Sequence, residues 1–99
     1  MAKVPGLTLE ELPPAPRDEV AWFATVMEQK LRENEHKTGW STDSLRALMR
    51  RLDQEANELE RRLDGGSGGS PAEIIREAAD VANFAMMIAD MARHVARSA

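Results

Sequence analysis

The sequence predicts an all-α protein, a small helical bundle that is completed by oligomerisation. Three segments of the 99-residue chain repeat apolar residues with the 3.6-residue period of an α-helix. Segments rich in glycine, proline and serine separate them, and such residues end helices. The third helical segment is apolar around most of its circumference between residues 78 and 92, so two helices of the same chain cannot cover it. We therefore expect a homodimer or a homotetramer.

The N-terminal part of the chain differs in composition from the rest. Residues 1–17 contain four of the five prolines and show no helical period, which predicts an extended N-terminal arm. Residues 18–99 are long enough for one small core, so we expect them to form a single helical domain.

The first two helices are predicted from their apolar spacing. One begins at Asp18 as its N-cap and runs to about Lys37, with its apolar residues at i, i+3, i+4, i+7 and i+11. Gly39 interrupts this pattern. The second helix ends near Asp64, and its candidate N-caps are Ser41, Thr42 and Asp43.

The third helix has a sharply defined start. Ser70 is the predicted N-cap, Pro71 occupies the first helical position, and Glu73 completes a capping box. The helix should run to about Arg97. The glycine- and serine-rich residues 65–70 before it predict a flexible connector.

Composition excludes several classes of function. A net charge of −4 disfavours a nucleic-acid partner, because neutralising phosphates requires an excess of Lys and Arg. The absence of cysteine and the presence of only two histidines exclude a structural zinc domain. No apolar run is long enough for a signal peptide or a membrane span, so we expect a cytoplasmic protein without a membrane partner.

Two pairs of carboxylates share one helical spacing. Glu55 and Glu58 lie three residues apart in the second helix, as do Glu77 and Asp80 in the third. Each pair therefore occupies neighbouring positions on its helix, about 4.5 Å apart along the axis. Both pairs lie about 11 Å from the turn between the helices, so antiparallel packing brings them level. Oxygen ligands without cysteine or a histidine cluster favour Mg²⁺, with Mn²⁺ as an alternative.

An ordinary solvated face is the competing interpretation of the second-helix pair, because arginines lie within one turn of it in the sequence. Asp80 is different, since it interrupts an apolar run in which an unpaired carboxylate would be costly. Glu55 lies about 70° from the centre of the apolar stripe of its helix, and Glu58 about 130° from it. For both carboxylates to be covered, the third helix or another chain would have to pack beside this side of the second helix.

These motifs resemble those of the MazG-like all-α nucleoside triphosphate pyrophosphohydrolases. The likeness rests on Glu55-x-x-Glu58 followed by Glu77-x-x-Asp80 on the two arms of a helical hairpin. Residues 27–31, 35–40 and 77–90 are also similar to segments of phage-type members, including those that act on dGTP and dATP. The likeness covers about residues 19–90. It implies a MazG-like helical domain in the cytoplasm of a bacterium or a phage-infected host.

The resemblance also implies an activity. A Mg²⁺-dependent enzyme of this family cleaves a (deoxy)nucleoside triphosphate between its α and β phosphates, giving the monophosphate and pyrophosphate, and a purine deoxynucleotide such as dGTP or dATP is the expected substrate. Glu55, Glu58, Glu77 and Asp80 would be its catalytic metal ligands.

Four further residues are candidate substrate contacts, and each has a structural alternative. Lys37 and His36 are candidates for the phosphates, the alternatives being a surface lysine and a capping or surface histidine. Trp40 is a candidate for stacking on the base, or else a core or interface anchor. Asn83 suits a sugar hydroxyl or a ligand carboxylate, or else is a buried amide bonded across the bundle.

A second class of function stays open. The chain would then be a non-catalytic oligomerisation module whose acidic stripe binds a basic partner. Dependence on a divalent cation separates the two hypotheses, because a partner-binding module does not need stoichiometric Mg²⁺. A helix-turn-helix regulator is disfavoured by the net charge.

Overall fold

The computed structural model describes residues 15–35, 39–64 and 69–98, which contain three α-helices and no strand. Helix α1 spans Asp18–Glu33, α2 spans Leu45–Leu63 and α3 spans Pro71–Ser98. The all-α prediction is confirmed for these ranges. Residues 1–14 of the predicted arm and residues 65–68 of the predicted connector lie outside the described part of the chain. No helix in the described ranges is long and apolar enough to cross a membrane.

The ends of α1 differ from the prediction. Arg17 is the N-cap, and its side chain makes no capping hydrogen bond, so the assignment of Asp18 as N-cap is wrong. Asp18 is instead the first helical residue, where its negative charge interacts favourably with the positive end of the helix dipole. The helix ends at Glu33, earlier than predicted, where Asn34 folds back and its Nδ2 donates to the Lys30 carbonyl at 3.0 Å.

The N-cap of α2 is Ser44, not one of the three residues before it. Its backbone is extended, and its Oγ accepts a hydrogen bond from the Ala47 amide at 3.0 Å. Asp43 belongs to the preceding turn, in which its amide donates to the carbonyl of Trp40 at 3.0 Å. The prediction of a cap at residues 41–43 is therefore wrong. The predicted end of α2 is confirmed, with Asp64 as its C-cap.

The start of α3 is as predicted. The Glu73 amide donates to Ser70 Oγ, and the Ser70 amide donates to Glu73 Oε1, each at 3.2 Å, which is a capping box. Gly69 just before it packs closely on α2, since its amide donates to the Arg62 carbonyl at 3.0 Å. A Cβ at this position would lie 2.9 Å from Cδ of Arg62, so only glycine fits without a shift.

Helix α3 is the centre of the molecule. Both other helices pack against it, and α1 and α2 do not pack on each other. Residues near the C-terminal ends of α1 and α2 contact residues near the N-terminal end of α3, as in the pairs Glu33–Arg76 and Arg62–Glu73. Helix α3 therefore runs antiparallel to both. The fully buried residues of the described chain are few: Leu48, Ala79 and Asn83. Leu48 belongs to α2, and Ala79 and Asn83 belong to α3, so the buried residues lie where α3 packs against its neighbours.

Candidate metal centre and adjoining cleft

Three of the four predicted carboxylates meet between α2 and α3. Glu55 of α2 and Glu77 and Asp80 of α3 each offer one oxygen, and these oxygens lie within 4.8 Å of one another. All three residues are partly buried. The predicted antiparallel register therefore brings these acids level, as the equal distances from the helical turn indicated. We refer to Glu55, Glu77 and Asp80 as the acidic cluster.

The surroundings of Glu55 in the acidic cluster disfavour its ionised form. Burial raises the pKa of Glu55, and the neighbouring charges of Asp80 and Glu77 raise it further. A hydrogen bond with Glu77, which only the protonated carboxyl can donate, acts in the same direction. These effects all favour the protonated over the ionised form of Glu55, and a bound cation would act in the opposite direction.

Two basic side chains touch the cluster. Lys30 of α1 places its Nζ 3.4 Å from Oδ2 of Asp80. Arg62 of α2 places its Nε 4.0 Å from Oε1 of Glu77 and its Nη1 3.1 Å from Oε2 of Glu73. The cluster therefore receives one cation from each of the two helices that flank α3.

Glu58, the fourth predicted ligand, lies outside the cluster. Its side chain is 41% exposed and is hydrogen-bonded to Arg61 in the next turn of α2. This is the local ion pair that a solvated face predicts. Glu58 is more exposed than Glu55 because the two residues lie at different angles around α2, and Glu55 is the nearer of the two to the apolar stripe. A ligand role of Glu58 stays a prediction.

An open cleft of about 640 Å³ adjoins the cluster. It lies between the C-terminal half of α1, the connection to α2, the first half of α2 and the middle of α3. The lining includes Glu55 and Asp80 of the cluster together with two basic residues, Lys30 and Arg51. The rest of the wall is formed by Glu28, Leu31, Asn34, Glu35, Gly39, Trp40, Asp43, Asn83, Phe84 and Met87. A volume of a few hundred Å³ is typical of sites for small molecules and cofactors.

Asn83 lies in the wall of this cleft, one helical turn from Asp80. It is only 4% exposed, and its Nδ2 donates to the Met27 carbonyl of α1 at 3.1 Å. This is the bond across the bundle that the structural alternative predicted. Among the described residues, its Oδ1 has no hydrogen-bond partner, and neither have Oε2 of Glu77 and Nε of Arg62. Buried polar atoms are nearly always satisfied, so water or a ligand is the expected partner of each of the three atoms.

Trp40 also lines the cleft, and its position is fixed by α3. Its indole Nε1 donates to Oδ2 of Asp90 at 3.1 Å, and the residue is partly buried. This hydrogen bond, together with those from Arg93, lowers the pKa of Asp90. The arrangement holds the indole ring at the end of the cleft farther from Glu77.

Arg51 is positioned by an aromatic contact. Its guanidinium carbon lies 5.0 Å from the ring centroid of Phe84, a cation–π geometry. Both residues line the cleft one turn away from Glu55 and Asp80 respectively. From this position the charge of Arg51 also lowers the pKa of Glu55, against the larger effects that raise it.

Lys30 and Arg62 were not assigned a site role from the sequence, although signals for both exist. Lys30 lies seven residues after Phe23 and three after Met27, so it occupies the apolar stripe of α1. A lysine at such a position indicates a buried acidic partner. Arg62 lies seven residues after Glu55, on the same flank of α2. His36 and Lys37, both predicted phosphate contacts, lie outside the described residues.

Comparison of the chain with family models, with curated proteins and with solved structures finds no match. The functional interpretation therefore depends on the residues of the site.

Proposed function

We propose that this protein is a Mg²⁺-dependent nucleoside triphosphate pyrophosphohydrolase whose substrate is a purine deoxynucleotide such as dGTP or dATP. The observation that carries the proposal is the acidic cluster of Glu55, Glu77 and Asp80 at the edge of the cleft. The resemblance of the two carboxylate motifs to those of MazG-like enzymes supplies the class of reaction.

The donor set suits a hard divalent cation. The three carboxylates supply oxygen only, and Oε2 of Glu77 has no other partner. The raised pKa of Glu55 has the same implication, since a cation bound to these oxygens would relieve the repulsion from Asp80 and Glu77 that raises it. Mg²⁺ meets these requirements, and Mn²⁺ is its closest substitute. When bound, the cation would neutralise phosphate oxygens and lower the pKa of a water molecule.

The cleft beside the cluster suits the remainder of a nucleotide. Trp40 offers an aromatic face, on which a base can stack. Asn83 has an unpaired acceptor one turn from Asp80, suited to a sugar hydroxyl. Arg51 and Lys30 bring positive charge to the wall, where the phosphates of a triphosphate would lie. The lining thus includes an aromatic, an amide and two cationic side chains, the kinds of group that contact a base, a sugar and phosphates.

The proposed reaction adds water across the α–β phosphoanhydride. The water oxygen bonds to phosphorus, the bond from phosphorus to the bridging oxygen breaks, and the products are the monophosphate and pyrophosphate. A carboxylate of the cluster takes the proton from the water. The chain's own part in this step is to position the triphosphate against the cluster and to accept that proton.

The test is a screen of the eight common NTPs and dNTPs, with and without Mg²⁺, in which pyrophosphate and orthophosphate are measured separately. We expect Mg²⁺-dependent release of pyrophosphate from purine deoxynucleotides. Nucleoside diphosphate as the main product would overturn the reaction. A clear preference for dUTP or dCTP would overturn only the base. Absence of turnover with all eight nucleotides would favour the non-catalytic oligomerisation module.

A further inference from the structure

We infer that Lys30 alternates between two anionic partners: it neutralises Asp80 when the acidic cluster holds no metal, and binds a phosphate of the ligand when a divalent cation occupies the cluster. This inference rests on the proposed function and assigns a residue that the carboxylate motifs do not include. It makes Lys30 a link between metal binding and the binding of the triphosphate.

The position of Lys30 is unusual for a lysine. Its side chain is only 15% exposed, although lysine is almost never fully buried without a partner. Its Nζ lies 3.4 Å from Oδ2 of Asp80, and the residue also lines the cleft. Lys30 therefore reaches both the cluster and the space in which the ligand would lie.

The contact with Asp80 is the main one that holds Lys30 in place. Among the described residues, the other carboxylate that pairs with Lys30 is Glu33, at 4.0 Å, and Glu33 already accepts two hydrogen bonds from Arg76, at 2.6 and 3.1 Å. A cation that neutralised Asp80 would therefore leave the ammonium of Lys30 without its main partner. It would also place two positive charges close together, and their repulsion would drive the lysine away.

Arg62, the other basic residue at the cluster, is not equivalent. Its Nη1 is paired with Glu73 at 3.1 Å, and it does not belong to the lining of the cleft. A guanidinium held by this second carboxylate has no reason to move when the cluster fills. Lysine has a flexible four-carbon stem and a compact charge, which suit a change of partner. Of the two, Lys30 alone combines contact with the cluster and access to the cleft.

The test compares the wild-type chain with Lys30→Met, which keeps the length of the side chain and removes its charge. Lys30→Arg keeps the charge, and Arg46→Met removes a positive charge from an exposed residue of α2 outside the cleft wall. Two affinities are measured for each folded protein. One is the affinity for Mn²⁺ alone, from the electron paramagnetic resonance signal of the free ion, and the other is the calorimetric affinity for inorganic tripolyphosphate in excess Mg²⁺.

The two affinities should change in opposite directions. Lys30→Met should bind Mn²⁺ about 3- to 10-fold more tightly, because the competing charge is gone. It should bind tripolyphosphate about 10-fold more weakly, because a charge-assisted contact is lost. Lys30→Arg should retain both wild-type affinities within about threefold, as should Arg46→Met.

Unchanged or weaker Mn²⁺ binding in Lys30→Met would overturn the inference, and so would unchanged affinity for tripolyphosphate. If the wild type binds Mn²⁺ and releases pyrophosphate while Lys30→Met behaves like Arg46→Met, the inference fails and the proposed function stands. If the wild type binds no Mn²⁺ and hydrolyses no nucleotide, both fail.

Discussion

Neutralising Glu55 is expected to raise the stability of the metal-free protein and to lower its activity. Its pKa is raised by burial and by the charges of Asp80 and Glu77, so its ionised form is unfavourable in the metal-free fold. Glu55→Gln should therefore raise the thermal midpoint of the metal-free protein at pH 7 by about 1–4 °C. The same change should lower Mg²⁺-dependent turnover by about 100-fold or more, since it removes a proposed metal ligand. Calorimetry without metal and an assay of pyrophosphate release measure the two effects, and a lower midpoint would contradict the electrostatic argument.

Glu58 provides a matched comparison on the same helix. Because it is half exposed and bonded to Arg61, Glu58→Gln should reduce turnover by about tenfold, less than Glu55→Gln. Steady-state kinetics at saturating Mg²⁺ measures the difference. An equal loss in the two variants would mean that Glu58 leaves Arg61 and binds the cation, as the motif itself predicts. Wild-type activity in Glu58→Gln would remove it from the site.

Trp40 is expected to act on substrate affinity. Base stacking on an aromatic ring contributes about 1–3 kcal/mol and tolerates any base. Trp40→Ala should therefore raise KM for several nucleotides by a similar factor, with a smaller effect on kcat. Trp40→Phe keeps an aromatic face and removes the hydrogen bond to Asp90, so it is the control. A change in base preference without a general rise in KM would contradict the stacking role.

At the level of the helices, the caps identified in the structure make a direct test. Ser44 caps α2 through the Ala47 amide, whereas Ser41 lies in the preceding turn. Ser44→Ala should lower the free energy of unfolding by about 1 kcal/mol. Ser41→Ala should change it by less than about 0.5 kcal/mol. Urea denaturation of the two variants distinguishes them, and equal values would contradict the assignment of the cap.

The helices and their register could be predicted from the sequence, but individual caps and side-chain partners could not. Apolar periodicity predicts all three helices, and the capping box at Ser70 fixes the start of α3. The α2 cap was mispredicted because Ser44 is one of four adjacent residues of similar capping propensity. The apolar stripe of α1 indicates that Lys30 is buried, but its pairing with Asp80 depends on how α1 packs against α3, a tertiary contact that no local pattern encodes.

At the scale of the whole molecule, five of the six exposed large apolar side chains of the described residues lie at one end, and Leu63 lies at the other. Val20 and Trp22 near the start of α1, Leu45 and Met49 at the start of α2, and Val95 near the end of α3 are each more than 40% exposed. Because α3 runs antiparallel to both other helices, these positions share one end of the molecule.

We propose that a second copy of the chain covers this end, as the apolar circumference of α3 predicts. Sedimentation equilibrium at micromolar concentration should give a homodimer or a homotetramer, and Trp22→Glu should shift it toward the monomer, because a charge would be buried in the interface. Arg50→Glu, on an exposed position of α2, is the control for charge reversal. A well-folded wild-type monomer of 11.0 kDa would contradict the proposal.

The stability of the metal-free protein should fall as the pH rises, and a divalent cation should restore it. The pKa of Glu55 is raised above its ordinary value of 4.5, so its contribution to the stability of the metal-free protein is fully present below pH 4.5 and is lost as the pH rises through the raised pKa. A divalent cation replaces the proton and should restore stability in that higher range. Thermal melts from pH 4.5 to 8, with and without Mg²⁺, should show a Mg²⁺-dependent gain that grows with pH in the wild type. Glu55→Gln should lack this pH dependence, and a gain that is the same at every pH in the wild type would contradict it.

The most direct test of the central claim is to locate Mn²⁺ by anomalous X-ray scattering in crystals grown with that ion. The account predicts a peak at bonding distance from carboxylate oxygens of Glu55, Glu77 and Asp80, and no peak there in crystals of Glu55→Gln. A peak elsewhere on the chain, or an acidic cluster that stays without Mn²⁺ at millimolar concentration, would contradict it.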